Sequence, residues 1–261
     1  MRVSLLISTY NWTEALELVL LSIDKQSIKP DELLIADDGS SKETLDIINK
    51  FKKQSSLIVS HIWHEDNGFQ KSIILNKAIA QSTGDYIIQS DGDCILHPDF
   101  VKDHLRLAKK DTYLYGSRVS IKENYLKELF ETKAIKFNLF SKGIKKRTRT
   151  LRVPLFSRFY YSKRELSKKM RGCNVSYWKK DFIAINGYNE DMTGWGREDS
   201  ELIIRMMNNG CLGKRIRYSG IVYHIWHQSV SKNSLNKNDI IQQKAIDKNI
   251  KHCTNGVDKY F

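Results

Sequence analysis

Short apolar runs alternate with amphipathic stretches through the first hundred residues. Residues 3–8 are an apolar run of strand length, and residues 14–26 carry Leu16, Val19, Leu20 and Ile23 at helical spacing. A second strand is predicted at 33–36. A helix follows at 44–51 with Leu45, Ile48 and Phe51 on one side, then a third strand at 57–63, a helix at 72–81 and a fourth strand at 85–89. Strands and helices alternating at this spacing predict a parallel α/β sheet. Its ligand crevice lies outside the carboxyl ends of the strands. Thr9-Tyr10-Asn11, Asp37-Asp38 and Asp91-Gly92-Asp93 all fall at those ends.

The regularity drops after Tyr115. Residues 118–170 read as an insertion, helical over 125–137 and otherwise a basic loop. Order returns at 172–178, followed by a helix near 180–185, a turn at Asn186-Gly187, a helix at 198–208 and a last strand at 221–226. The expected layout is one domain in four parts. Residues 1–117 form a nucleotide-binding half, 118–170 the insertion, 171–228 a second half that carries the chemistry, and 229–261 a helical tail.

Composition narrows the class. At 261 residues and 41% apolar the chain suits a globular domain with a sizeable core. No apolar run reaches 18 residues, so no membrane-spanning helix is expected. The first residues read as a strand and not as an export signal. Cys94, Cys173, Cys211 and Cys253 are widely spaced without a C-x-x-C pair, which argues against a disulfide framework or structural zinc and favours a reducing, cytoplasmic setting. The net charge of +13 is concentrated: residues 142–171 hold twelve Lys and Arg against Glu165 alone, interleaved with Leu155, Phe156, Phe159, Tyr160 and Tyr161. Such a segment is a solvated loop, or it faces nucleic acid, an anionic membrane surface or a polyanionic substrate.

Three motifs carry candidate chemistry. In Gly194-Trp195-Gly196-Arg197-Glu198-Asp199, a tryptophan between two glycines precedes carboxylates at a helix start. This reads either as an acidic helix N-terminus or as a sugar platform beside a base. Asp91-Gly92-Asp93 is either an Asp-Gly turn or a divalent-cation site against a diphosphate. His224 and His227 lie on opposite faces of a continuous strand, but both reach one cation if the strand ends near His224. Asp38, Thr9, Tyr10 and Asn11 are candidates for contacts to a ribose or base, with Asn67 and Lys77 as further donor-side candidates.

Ser8-Thr9-Tyr10-Asn11, Asp37-Asp38-Gly39-Ser40, Asn67-Gly68, Ser90-Asp91-Gly92-Asp93 and Trp195-Gly196-Arg197-Glu198-Asp199, in this order, resemble the family-2 glycosyltransferases of the GT-A fold. Residues 172–201 are similar to the β-1,4-galactosyltransferase and chondroitin-polymerase type of catalytic region. The resemblance implies a Rossmann-like mixed, mainly parallel sheet flanked by helices, with the basic helical insertion added. It implies metal-dependent, inverting transfer of a hexose from a UDP-sugar to a glycan or lipid-linked acceptor. By the same resemblance, Mn²⁺ (or Mg²⁺) is held by Asp93, His224 and His227, and Asp91 and Gly92 border the donor. Asp199 is the base, Glu198 supports it, and Trp195 and Arg197 face the acceptor. Arg197 departs from the pattern, which usually has Gly there. Nucleic acid is not expected as a partner; a nucleic-acid-binding module built on 142–171 is the competing reading.

Overall fold

The apolar run Val3–Thr9 (β1) is buried at all seven positions and pairs in parallel with Glu32–Asp37 (β2) on one side and Tyr86–Asp91 (β4) on the other. Ile58–Trp63 (β3) extends the sheet beyond β2, again in parallel. Burial on both faces explains the continuous apolar character of β1 and β2, as expected for a parallel sheet covered by helices. The covering helices are Thr13–Asp24 (α1), Lys42–Gln54 (α2) and Lys71–Gln81 (α3). α1 turns Leu16, Val19, Leu20 and Ile23 onto one face of the sheet, while Ile74, Leu75, Ala78 and Ile79 of α3 pack on the other. The computed structural model describes residues 1–228, 231 and 233–261.

Asn174–Trp178 (β9) enters the sheet antiparallel between β4 and Thr112–Tyr115 (β6), and Leu212–Arg215 (β10) completes the edge. The seven-stranded order is β10-β6-β9-β4-β1-β2-β3, which gives the expected mixed, mainly parallel α/β architecture. Cys94–Leu96 (β5) begins a second, four-stranded sheet. In it Val222–His224 (β11) lies between β5 and Arg118–Ile121 (β7), and Ile144–Lys145 (β8) forms the edge. The remaining helices are Phe100–Leu107 (α4), Leu126–Thr132 (α5), Lys179–Ala184 (α6), Glu198–Asn208 (α7) and Leu235–Asp247 (α8).

The segment expected as an insertion is woven into this second sheet through β7 and β8. Its predicted helix over 125–137 is shorter: α5 ends at Thr132, and Lys133 adopts the left-handed conformation at φ +51°. The chain must turn there because Phe137 packs on Tyr223 at 4.9 Å between ring centres, and the Tyr223 hydroxyl donates to the Phe137 carbonyl. Tertiary packing overrides the helical spacing. Further helical character among the described residues of the segment is confined to 3₁₀ turns at Glu123–Tyr125, Arg147–Arg149 and Pro154–Phe159. Arg152 fastens the segment to α4 through a two-pronged pair with Asp103 at 2.9 and 2.8 Å. The expected tail at 229–261 contains α8, packed on α7; residues 229, 230 and 232 lie outside the described residues. Among the described residues, no helix is long and apolar enough to cross a membrane.

Candidate active site

The ends of β1, β2 and β4 meet where the sequence placed the crevice. Thr9 pairs with Asp37 across β1 and β2, and the Asp38 N–H donates to the Thr9 carbonyl at 3.0 Å. Asp38 is held by His64 at 2.7 Å and by the Gln70 N–H at 2.9 Å. Burial outweighs His64 and leaves the Asp38 carboxyl above its usual range. Tyr10 and Asn11 flank this corner. The Tyr10 ring is half-exposed with its hydroxyl donating to Asp66, and Asn11 accepts the Ser41 N–H at 2.8 Å. Asn67 is exposed in the adjoining loop. Lys77 reaches Asp38 only through His64, 3.5 Å from its Nδ1.

Asp91-Gly92-Asp93 links the two sheets, with Asp91 closing β4 and Asp93 preceding β5. Gly92 sits against β1: its N–H donates to the Ser8 carbonyl at 2.7 Å, and an added Cβ would lie 3.0 Å from Thr9 Oγ1. Asp93 turns to the second sheet. β11 ends at His224, and the chain then bends so that His224 Nε2 and His227 Nε2 approach Asp93 Oδ2 at 3.4 and 3.3 Å. The strand-end condition that unites the two histidines is therefore met. The three donor atoms lie within 4.8 Å of one another. Burial lowers the His224 pKa against the pull of Asp93, with Arg118 adding to the lowering, which favours the neutral imidazole that a cation needs.

Opposite this corner α7 begins at Glu198. Gly194 and Gly196 have φ of +70° and +111°, and Arg197 itself is left-handed at +75°, the conformation that favours the glycine usual in the motif. The positive-φ turn drives Glu198 and Asp199 inward. Glu198 accepts the Gly196 N–H at 3.0 Å, and Asp199 accepts the Gly172 N–H at 3.0 Å. The Tyr188 hydroxyl lies 3.2 Å from Asp199 and 3.0 Å from Gln89 Oε1. No side chain fits at position 172, where an added Cβ would lie 2.1 Å from the Asp199 carboxylate.

Lys71 joins the two carboxylate groups. Its ammonium lies 2.8 Å from Asp91, which also accepts from Ser8 at 2.8 Å. Burial works to lower the Lys71 pKa, but Asp91, Asp199 and Glu198 together hold it well above the usual value. Burial likewise works to raise Asp91, and Lys71 with Ser8 overcomes it, so Asp91 stays below the usual carboxylate range. Asp199 is raised by burial against Lys71, and Glu198 is pushed up to about 7 by burial and by Asp199 beside it. Three carboxylates thus surround one ammonium. The arrangement holds a surplus of negative charge and at least one carboxyl with basicity suited to accepting a proton near neutrality.

Trp195 is partly exposed at the rim, between its two glycines. Arg197 points elsewhere: it pairs with Asp239 of α8. Asn238 of α8 supports the same loop by donating to the Thr193 and Gly196 carbonyls at 3.2 and 2.9 Å. The sequence assigns no role to Lys71, Ser8, Gly172 or Tyr188, although the last three fall within the stretches that carry the family resemblance. Lys71 carried a usable signal, since a lysine as first residue of a helix opposes the macrodipole and needs nearby anions to be stable there. Tyr188 and Gly172 reach Asp199 through the packing of β9 and α7, which no local pattern shows.

Comparison with known proteins agrees with this geometry. Residues 4–170 match glycosyl transferase family 2, and residues 155–228 match the family described as the N-terminal domain of galactosyltransferase. A chondroitin synthase of Escherichia coli is 25% identical over 85% of this chain and 34% of its own length. A validoxylamine A glucosyltransferase of Streptomyces hygroscopicus subsp. limoneus is 25% identical over 79% of the chain and 48% of its own. The chain thus spans half or less of the length of these relatives. The crystal structure of S. aureus TarS residues 1–349 with UDP superposes with a TM-score of 0.63 at 16% identity, covering 93% of this chain and 64% of that one. A mannosyltransferase from Pyrobaculum calidifontis with GDP-Man and Mn²⁺ gives 0.59 at 16% identity, covering 95% and 62%. Both likenesses bear on the fold, which is that of GT-A glycosyltransferases.

Proposed function

Because this chain belongs to glycosyl transferase family 2, we propose that it moves a hexose, galactose or N-acetylgalactosamine in type, from a UDP-sugar to a glycan or lipid-linked acceptor with inversion. The setting is surface polysaccharide or lipopolysaccharide synthesis, as the chondroitin synthase relatives suggest. One observation carries the reading: the buried Glu198–Asp199 pair at the start of α7 faces the Asp93–His224–His227 corner across Lys71 and Asp91.

One carboxylate oxygen and two imidazole nitrogens converging from a bend fit a divalent transition cation, Mn²⁺ in preference to Mg²⁺. When bound there, the cation neutralises charge developing on the leaving diphosphate. The protein's own residues do the rest. Tyr10 offers a ring for the base, while Asn11 and Asp38 offer polar contacts to base and ribose. Gly92 lets the backbone close on the donor, and Asn67 and Lys77 flank that corner. Trp195 supplies a flat face for the acceptor sugar. Asp199, fixed by the Gly172 N–H, takes the proton of the acceptor hydroxyl as it attacks the anomeric carbon from the side opposite the diphosphate. Glu198 keeps that carboxylate basic through repulsion and shares its proton.

Release of UDP from a panel of UDP-sugars with Mn²⁺ and acceptor glycans tests the reading. Unimpaired turnover in Asp199→Asn or Asp93→Ala would sink the residue roles. A lipid-linked acceptor is favoured by Leu155, Phe156, Phe159 and Tyr161, which are exposed on the basic segment and suited to the interface of an anionic membrane at its cytoplasmic face. Sedimentation with anionic but not with neutral liposomes is expected; sedimentation with neither removes the membrane contact.

A further inference from the structure

A wall of cationic side chains lies beside the reacting carboxylates and takes no part in the chemistry above. β7 runs parallel to β11 with Arg118 opposite Val222 and Ser120 opposite His224, so Arg118 shares a sheet face with His224. Arg149 donates to the Arg118 carbonyl at 2.9 Å. Arg215 reaches Ser117 at 3.2 Å, and Arg217 reaches the Thr148 carbonyl at 3.2 Å. From the other side Arg171 directly precedes Gly172, the residue whose N–H fixes Asp199. The wall thus runs from the Asp93–His224 corner to the base.

These cations lack counter-charges. Arg152 of the same segment is paired with Asp99 and Asp103. Among the described residues, no carboxylate forms an ion pair with Arg118, Lys146, Arg149, Arg171, Arg215 or Arg217. Burial, followed by repulsion from Arg215, Arg217, Arg118 and Arg171, lowers the Arg149 pKa, and Lys146 is lowered in the same way. Uncompensated like charges held together on a half-buried wall destabilise the free protein and are relieved by an anionic ligand. A diphosphate at the metal corner meets only the near end. β8, which leads into the 147–149 turn, lies on the side of β7 away from β11. Arg197, the cation expected to face the acceptor, is already held by Asp239.

We propose that the acceptor is an anionic glycan, carrying phosphate, sulfate or carboxylate groups, and that Arg118, Arg149 and Arg171 bind those groups beside the hydroxyl that is glycosylated. This rests on the transferase reading and names its acceptor class. A glycan fits better than a bilayer at this end: Arg118 and Arg149 are half-buried, whereas the exposed aromatics that suit a flat interface pack at the far end of the wall, with Tyr160 under Arg215 and Phe156 edge-on to Tyr218.

The test is calorimetric titration of a chondroitin sulfate oligosaccharide into the protein saturated with UDP and Mn²⁺, at physiological salt. An uncharged oligosaccharide of the same length serves as the comparison. Preferential binding of the sulfated glycan is expected. Arg149→Gln and Arg171→Gln should each weaken it at least about tenfold, as loss of a charge-assisted bond does, with UDP affinity and circular dichroism unchanged, and Arg149→Lys should restore part of it. Absence of preferential binding, or binding indifferent to both substitutions, overturns the proposal. Anionic vesicles or an oligonucleotide binding more tightly than the glycan, and released by the same substitutions, overturn it in favour of a membrane or nucleic acid. UDP release is scored separately: a protein that binds the anionic glycan in this way yet turns over no UDP-sugar refutes the transferase reading while leaving the anion wall standing.

Discussion

Replacing Glu198 by Gln should stabilise the protein at alkaline pH and leave it unchanged in acid. The Glu198 carboxyl is buried beside Asp199, and burial moves its pKa from 4.5 to about 7. A carboxyl raised on folding imposes no penalty below the unfolded value, loses stability as pH rises through 4.5 to 7, and carries the full penalty above that window. At about 1.4 kcal/mol per pH unit, the penalty at pH 8 is about 3 kcal/mol. Glutamine is near-isosteric with the protonated acid and still accepts the Gly196 N–H through its amide oxygen. Lys71 keeps Asp91 and Asp199 as partners, so no orphaned ammonium results. Urea unfolding followed by tryptophan fluorescence, without UDP or metal, should therefore show a gain of about 3 kcal/mol at pH 8 and almost none at pH 4.5. Equal effects at the two pH values, or a loss at pH 8, would refute the claim that the site holds surplus buried negative charge. Turnover should fall in the same variant, the usual cost when a destabilised active-site group is neutralised.

Four further outcomes follow from the same geometry. Asp199→Asn should lower kcat about 10²- to 10⁴-fold while UDP affinity, measured by calorimetry, stays unchanged. The pH profile of kcat/KM should rise through an acid limb near 7 that belongs to the Glu198–Asp199 pair jointly; a limb near 4.5 would contradict the burial argument. Chelation should abolish UDP release and Mn²⁺ restore it, and His224→Ala should raise the Mn²⁺ concentration for half-activity at least about tenfold. Arg205→Leu should destabilise by about 3–5 kcal/mol in denaturant titration. That guanidinium is fully buried, pairs with Glu201 at 2.7 Å and donates to the Ile185 and Gly187 carbonyls, so its loss strands a buried carboxylate.

The donor half was legible because its information is local. Parallel strands must be apolar on both faces, so β1 and β2 announce themselves, and polar triplets at their ends have few structural uses. Asp91-Gly92-Asp93 was legible for the same reason. The second sheet was not. Only β11, inside the strand expected at 221–226, was visible; β5 and β8 are three and two residues long and gain their partners from segments more than 20 residues apart, so neither run is long enough to show a period. The helix expected over 125–137 failed at Lys133, where burying Phe137 beneath Tyr223 outweighs continuing a helix. Lys71 is the more informative of the two lysines of α3, since a cation at the first position of a helix needs anions nearby to be stable there.

The charges of the site form a pattern that explains its division of labour. Asp91, Glu198 and Asp199 crowd around Lys71 with a surplus of negative charge, which a free protein tolerates only at a cost in stability. That surplus, with burial, holds the Asp199 and Glu198 carboxyls above their usual range. The arginines on the facing wall carry the opposite excess without partners. A ligand bearing an anionic group next to a hydroxyl relieves both at once, its charge drawn to Arg118, Arg149 and Arg171 and its hydroxyl proton to Asp199. A neutral acceptor relieves neither. Arg197 stands apart from both surfaces: it is tied to Asp239 of α8, whose neighbour Asn238 holds the glycine loop through the Gly196 carbonyl.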